Sequence, residues 1–368
     1  MSTVAASASK TVVSVAPRLV LHFDVNETIL CCDPAGGDTF EDTLNKMIAK
    51  NALVRMDTEN DQVVWYDGTT PSLSGPSPPL NCSWVRPEGT TSYYQKYRGQ
   101  GSSFTEEGRP GQCYRHIYDE LEKKMRWPKE HLDASQKNPL LHEDGAHHFL
   151  LPALFRTLHE LVGVRKRNVS LVIRTFGTDI DEVVGALNAY GAGHHLKEYG
   201  SLPACTISPD RVWIGRYDNT GSFTLTQKGG SEKCVIDENE VLNILQGSAE
   251  ESLCVVACQD DYQWWRDHNF SPGAGKPLWL TEKDALHHHI FFDDNIKNDP
   301  NDSIVAVRAR TDASQTFQPL TGEETIALHG MHLVRVPTFK PILDETWFLK
   351  QIEACEKKFQ EIHKESVE

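Results

Sequence analysis

Three short apolar runs in this 368-residue chain each lead into a residue able to do chemistry. Arg18-Leu-Val-Leu-His-Phe23 runs into Asp24, Val169-Ser-Leu-Val-Ile173 into Arg174 and Thr175, and His289-Ile-Phe-Phe292 into Asp293 and Asp294. A carboxylate can serve as a nucleophile, and a hydroxyl can hydrogen-bond an anionic oxygen. A lone acid in such a place is ordinarily a turn residue or a helix cap. Three runs ending this way form a pattern, and carboxylates drawn together from separate runs need a cation to hold them.

The elements that must position these residues follow from periodicity. Short, nearly unbroken apolar runs rich in strand formers read as buried parallel strands, and Leu253-Cys-Val-Val-Ala-Cys258 and Ile304-Val-Ala-Val307 add two more. Helical spacing separates them. Asp38 or Thr39 caps a helix through Lys50, Cys113 to Arg126 reads as a second, and Leu150 to Leu161 presents an apolar face. A helix from Asp179 to Tyr190 stops at Gly191, and Asp344 to about Lys364 is amphipathic, its apolar face expected to pack on the core. Strands alternating with helices predict an α/β fold, a Rossmann-like, mainly parallel sheet flanked by helices. Ligands bind such sheets beyond the carboxyl ends of the strands, where Asp24, Thr175, Asp293 and Asp294 fall.

Length over the usual domain size gives about two domains, or one domain with a long insertion. Between residues 53 and 112, Gln62 to Tyr66 reads as a strand, after which Pro71, Pro76, Pro78, Pro79, Gly99, Gly101, Gly108 and Gly111 interrupt every pattern. The division expected is a flexible tail at 1–17, a core at 18–32 and 147–368, and a cap-like insertion at 33–146 that opens on the turn cluster Asp33 to Gly37. A second insertion, about 200–250, carries a hairpin from Arg211 to Gln227 around Asp218-Asn-Thr-Gly221. Tyr93, Tyr94, Tyr97, Lys96, Arg98 and Arg109 of the first insertion are candidates to touch an anionic substrate.

With 37 basic against 52 acidic side chains and a net charge of −15, the chain is a poor nucleic-acid binder, since that role needs a basic face. A phosphate substrate stays allowed where a metal ion masks the repulsion. The nine cysteines show no zinc-knuckle spacing and suit reduced thiols. Adjacent His287, His288 and His289 point to alternating faces of a strand, a poor geometry for a chelate. No apolar run approaches the ~18 residues of a membrane span. A cytoplasmic protein without a membrane segment is expected; the oligomeric state is left open.

Phe23-Asp24-Val25-Asn26-Glu27-Thr28 resembles the D-x-D-x-T signature of the haloacid dehalogenase superfamily. Arg174-Thr175 resembles its second motif, a Ser or Thr ending a strand. Gly275-Lys276-Pro277 resembles the third, with Lys228 and Lys283 as rivals, and Phe291-Phe292-Asp293-Asp294 resembles the fourth. The resemblance spans about 19–30 and 148–308 and implies a fold and an activity. Asp24 would be the nucleophile that becomes an aspartyl-phosphate, with Asn26, Thr175 and Lys276 as the other catalytic positions. Mg2+ would be the cofactor, held by Asp24, the carbonyl of Asn26, and Asp293 or Asp294. Thr28, Arg174 and Gly177 would bind a small phosphorylated substrate.

Asn26 departs from the family's pattern. Phosphatases of the family carry an acid there, and an amide cannot exchange a proton, so catalysis typically worth about 10²–10⁴-fold is missing. The substrate then carries a good leaving group, or another side chain such as Glu27 substitutes, or the protein binds phosphorylated ligands without turning them over. Dehalogenation at carbon also begins with an aspartate nucleophile, but needs no metal-type acidic pair.

Overall fold

The computed structural model describes residues 16–32, 37–59, 61–71, 75–97, 101–132, 137–229 and 233–365. The tail at 1–17 therefore lies almost wholly outside the described residues, as do most of the turn cluster at 33–37 and Arg98. In chain order the first elements are β1 (Arg18–Asp24), α1 (Phe40–Asn51), β2 (Leu53–Asp57), β3 (Gln62–Trp65), β4 (Thr91–Ser92), α2 (Tyr93–Lys96) and α3 (Arg115–Met125). There follow α4 (Pro152–Leu158), β5 (Val169–Thr175), α5 (Ile180–Gly191), β6 (Val212–Tyr217), β7 (Phe223–Gln227), β8 (Cys234–Val235), α6 (Glu238–Gln246), β9 (Leu253–Gln259) and α7 (Tyr262–Asp267). The last are β10 (Lys276–Thr281), β11 (His287–Asp293), β12 (Val305–Arg310), β13 (Gln318–Pro319), α8 (Gly322–Ala327), β14 (Leu333–Arg335), α9 (Phe339–Leu343) and α10 (Trp347–Glu365).

The chain is an α/β protein built on a large mixed sheet of order β14-β11-β1-β5-β9-β6-β7-β8. Neighbours from β14 to β6 are parallel; β7 runs against them, and β8, antiparallel to β7, runs with them again. Every residue of β1 and of β5 is buried, which is why these strands read as unbroken apolar runs. One face of the sheet (Leu21, Phe23, Ile173, Val255, Phe292) packs against α4, α5 and α10, through Phe155, Leu187, Phe348 and Ile352. The other (Val20, Val172, Val256) packs on Val241, Leu242 and Leu245 of α6 and on Trp279. The terminal helix thus packs on the core as its amphipathic pattern predicts.

Strand β1 is central. The chain moves from it to β5 and β9 on one side and later places β11 and β14 on the other, so the strand order reverses at β1 and leaves a crevice beyond its carboxyl end. The register carries Asp24 to that end beside Arg174, and Asp293 beside Arg335.

Two elements depart from the sequence reading. The run at 304–307 does form a strand, but β12 pairs in parallel with β10 in a separate three-stranded sheet, β10-β12-β13. Periodicity identifies a strand and says nothing of its partner. Strand β10 itself starts at Lys276, in a run to which the sequence reading assigns no element; Pro277 is tolerated because β10 is an edge strand and needs no N–H there. Gly275 before it is required by close approach, since a Cβ would stand 2.2 Å from the Ile304 carbonyl oxygen. The hairpin β6–β7 continues the main sheet, with β6 pairing in parallel with β9.

Residues between β1 and α4 build a cluster of their own. The antiparallel sheet β3-β2-β4 packs with α1 and α3 around Trp65, Phe104, Tyr114 and Met47, and the cluster extends to Leu151, Phe339 and Ile342. Helix α1 begins with a capping box between Thr39 and Asp42 and runs toward the crevice, ending in a turn that carries Lys50. Among the described residues no helix is long and apolar enough to cross a membrane.

Candidate active site at the end of the central strand

Asp24 is buried at the tip of β1, and both of its oxygens are engaged. The ammonium of Lys276 donates to Oδ1, and the Thr28 hydroxyl donates to Oδ2 at 3.0 Å. The same Lys276 ammonium reaches Asp293 Oδ2 at 2.9 Å, so one buried cation bridges acids from two neighbouring strands. It arrives from the second sheet and also stands 4.9 Å over the ring of Phe176. Of the three lysines that could fill the third motif, Lys276 reaches the acids; Lys228 pairs with Asp181 and Lys283 with Asp312, both at the surface.

Thr28 braces the centre. Its hydroxyl accepts the Asp294 N–H at 3.1 Å while donating to Asp24, tying the loop after β1 to the loop after β11. Fully buried, it has no surface to offer a substrate. Asp294 points to a second cation: Lys50, from the end of α1, donates to Asp294 Oδ2 at 3.1 Å and to Glu27 Oε2 at 2.6 Å. Glu27 sits at a φ of 57°, a left-handed conformation uncommon for a residue with a side chain, and its carbonyl accepts the Thr338 hydroxyl. The carboxylate nearest in sequence to Asn26 is therefore locked to Lys50.

On the other side, Thr175 donates to Asp179 Oδ1 at 2.9 Å and accepts the Gly177 N–H at 2.8 Å, so its hydroxyl closes the loop onto the start of α5. Gly177 leaves room for two side chains: a Cβ there would stand 2.8 Å from Asp179 Oδ1 and 3.2 Å from Asn26 Nδ2. Asn26 thus fills the gap between Asp24 and this loop, and its buried Oδ1 has no hydrogen-bond partner among the described residues.

Arg174 is placed differently from the sequence expectation. Its guanidinium is 1% exposed, forms a two-pronged pair with Asp260 (Nε–Oδ2 2.9 Å, Nη2–Oδ1 2.5 Å) and donates to the Pro277 carbonyl at 3.0 Å. It cross-links the two sheets beneath the site and does not face a ligand. Tyr93 is likewise buried in the apolar cluster of the inserted segment. The three consecutive histidines diverge as strand alternation requires: His289 bonds His22, His288 reaches the Met331 carbonyl and His287 pairs with Asp284.

Charge counting defines what the centre lacks. Four carboxylates (Asp24, Glu27, Asp293, Asp294) face two ammonium groups (Lys50, Lys276), which leaves two negative charges unmatched. Burial, reinforced by Asp293, pushes the Asp24 carboxyl well above the usual range despite Lys276. Burial also raises Asp294 to about 7, Glu27 and Asp293 adding to it and Lys50 opposing. Burial alone would lower both lysines, but the acids around them outweigh it and hold them protonated. Oxygens of Asp24, Asp293 and Asp294 lie within 4.8 Å of one another. An all-oxygen set with two surplus negative charges and an unpartnered amide oxygen alongside fits one hard divalent cation.

No family model matches the chain, and neither curated proteins nor solved structures yield a match. The sequence missed Lys50, visible only as a basic residue ending a helix, and Asp260, which follows β9 as Asp293 follows the apolar run of β11 and was open to the same reading.

Proposed function

We propose that the chain is a Mg2+-dependent phosphohydrolase of the haloacid dehalogenase type, acting on a small phosphorylated metabolite through Asp24. The observation that carries this reading is the bridge from Asp24 to Lys276 and on to Asp293, residues separated by 252 and 17 positions, at the crevice where the strand order reverses. Asp24, Asp293, Asp294 and the carbonyl of Asn26 would hold the Mg2+, which when bound neutralises phosphoryl oxygens.

The chain's own residues supply the rest. Asp24 attacks phosphorus, and its new bond to phosphorus forms as the ester bond breaks; the leaving oxygen departs as an anion, since Asn26 has no proton to give, and an aspartyl-phosphate remains for water to hydrolyse. Lys276 and Thr28 hold one oxygen of Asp24 each, which fixes the plane of the carboxylate before attack. Thr175, its hydroxyl buried between Asp179 and the Gly177 N–H, holds the loop that packs on Asn26. The segment 33–146 acts as a cap that excludes water and selects the substrate, a role supported by Lys50, which links it to Asp294 and Glu27.

A second reading, a phosphate-binding protein without turnover, is favoured by Asn26 and by the locking of Glu27 onto Lys50, which leave no acid beside Asn26 on its own loop. A panel of phosphate monoesters assayed with Mg2+ separates the two. The phosphohydrolase reading expects turnover that Asp24→Asn abolishes and Asn26→Asp raises by about 10²–10⁴-fold. Turnover surviving Asp24→Asn removes Asp24 as the nucleophile. No turnover across the panel, with Mg2+ still bound, selects the binding protein.

A further inference from the structure

The same end of the sheet carries two arginines that form no ion pair among the described residues. Arg335 ends β14 in register with Asp293, so it stands at the carboxyl edge beside the acidic centre. Its half-buried guanidinium reaches the carbonyl of Ser83 at 3.5 Å, which draws the segment containing Arg86 against the strand ends. Trp84 fixes that segment by stacking on His329 with ring centroids 3.6 Å apart, and Arg86 donates to Gln95 Oε1 at 2.8 Å.

Neither guanidinium forms an ion pair among the described residues, whereas Arg115, Arg165, Arg211 and Arg308 all find carboxylates. Burial lowers the pKa of Arg335, the charge of Arg86 lowers it further, and Asp294 draws it back. Arg335 touches the Ser83 carbonyl at that edge, and Arg86 lies three residues further along the same segment; in a chain of net charge −15, two such guanidinium groups at one edge favour a bound anion.

We propose that Arg335 and Arg86 form a second anion subsite beside the Asp24 centre. The substrate then carries, besides the phosphoryl group that reacts, a second anionic group, a carboxylate or a phosphate. The assignment of the reacting group rests on the reading under "Proposed function"; the subsite can be tested without turnover. Calorimetric titration of the full chain in Mg2+ buffer with methylphosphonate, phosphonoacetate and methylenediphosphonate compares one anionic head with the same head bearing a carboxylate or a second phosphonate.

The added group is expected to tighten binding by about tenfold or more, the worth of a charge-assisted hydrogen bond. Arg335→Gln should erase that gain, Arg86→Gln should reduce it, and Arg335→Lys should restore part of it in a chain whose melting temperature is kept. A gain confined to phosphonoacetate identifies the second group as a carboxylate; one confined to methylenediphosphonate identifies it as a phosphate. Equal affinity for all three ligands, or a gain that survives Arg335→Gln, overturns the subsite and leaves the phosphohydrolase reading standing. An Arg335-dependent gain with no detectable methylphosphonate binding keeps the subsite and counts against that reading instead.

Discussion

Replacing Lys276 by methionine tests the centre at its most connected atom. The ammonium is 1% exposed and bonded to Asp24 and Asp293, so the substitution leaves two buried carboxylates facing each other. Removing one partner of a buried ion pair costs about 3–5 kcal/mol. The acids can recover part of this by binding a proton, and the pH dependence has a definite sign. Asp24 is already raised by burial and by Asp293, and losing Lys276 raises it further. The folded chain then holds a proton that the unfolded chain has released, so stability falls as pH rises, by about 1.4 kcal/mol per pH unit for each such group. Urea denaturation at pH 8 should show the full loss with an unchanged slope, and at pH 5 a smaller one. Lys228→Met and Lys283→Met, at surface pairs, should stay within about 0.5 kcal/mol of the parent. A Lys276→Met curve that overlays Lys283→Met, or a larger loss at pH 5 than at pH 8, refutes the reasoning.

Acid should unfold the protein through its buried histidines. Burial holds His288 and His289 at about 3 and His332 at about 4, below the ordinary 6.5. Their contribution is whole above about pH 6.5 and is lost as pH falls toward 3–4, at about 1.4 kcal/mol per unit per histidine. Melting temperature followed from pH 7 to 5 should fall steeply, and His289→Leu should flatten the slope; an unchanged slope counts against the assignment. For the buried Arg174–Asp260 pair, Arg174→Met should cost about 3–5 kcal/mol in urea denaturation, while Arg174→Met with Asp260→Leu should recover most of it. A double variant as unstable as the single would show that the packing of Arg174, and not its charge, matters there.

The strand ends were legible because burial on both faces writes itself as an unbroken apolar run, and a polar residue that ends such a run is conspicuous. Asp24, Thr175, Asp293 and Asp294 were found in this way. Lys276 was found only through a short motif; its strand stays hidden by Gly275 and Pro277 until the pairing with β12 is known. Arg174 shows the converse failure. Position along the strand was readable, but the side chain's destination was decided by Asp260, 86 residues away. Lys50, Arg86 and Arg335 are ordinary surface-type residues in sequence, and tertiary packing alone brings them to one edge.

The delivery of Lys276 by a second sheet has a consequence for the order in which the acidic centre is assembled. Its bond to Asp24 spans 252 residues, and the strand that carries it is zipped to β12, which follows every acid of the centre in the chain. Such a contact is of high sequence separation and is formed against a large loop-closure entropy. A nascent chain with β1, β5 and β9 already paired therefore holds a half-built centre. Asp24 acquires its counter-ion only when residues up to 310 have emerged and the second sheet has docked. An intact Lys276 bridge is in this sense a certificate of completed folding.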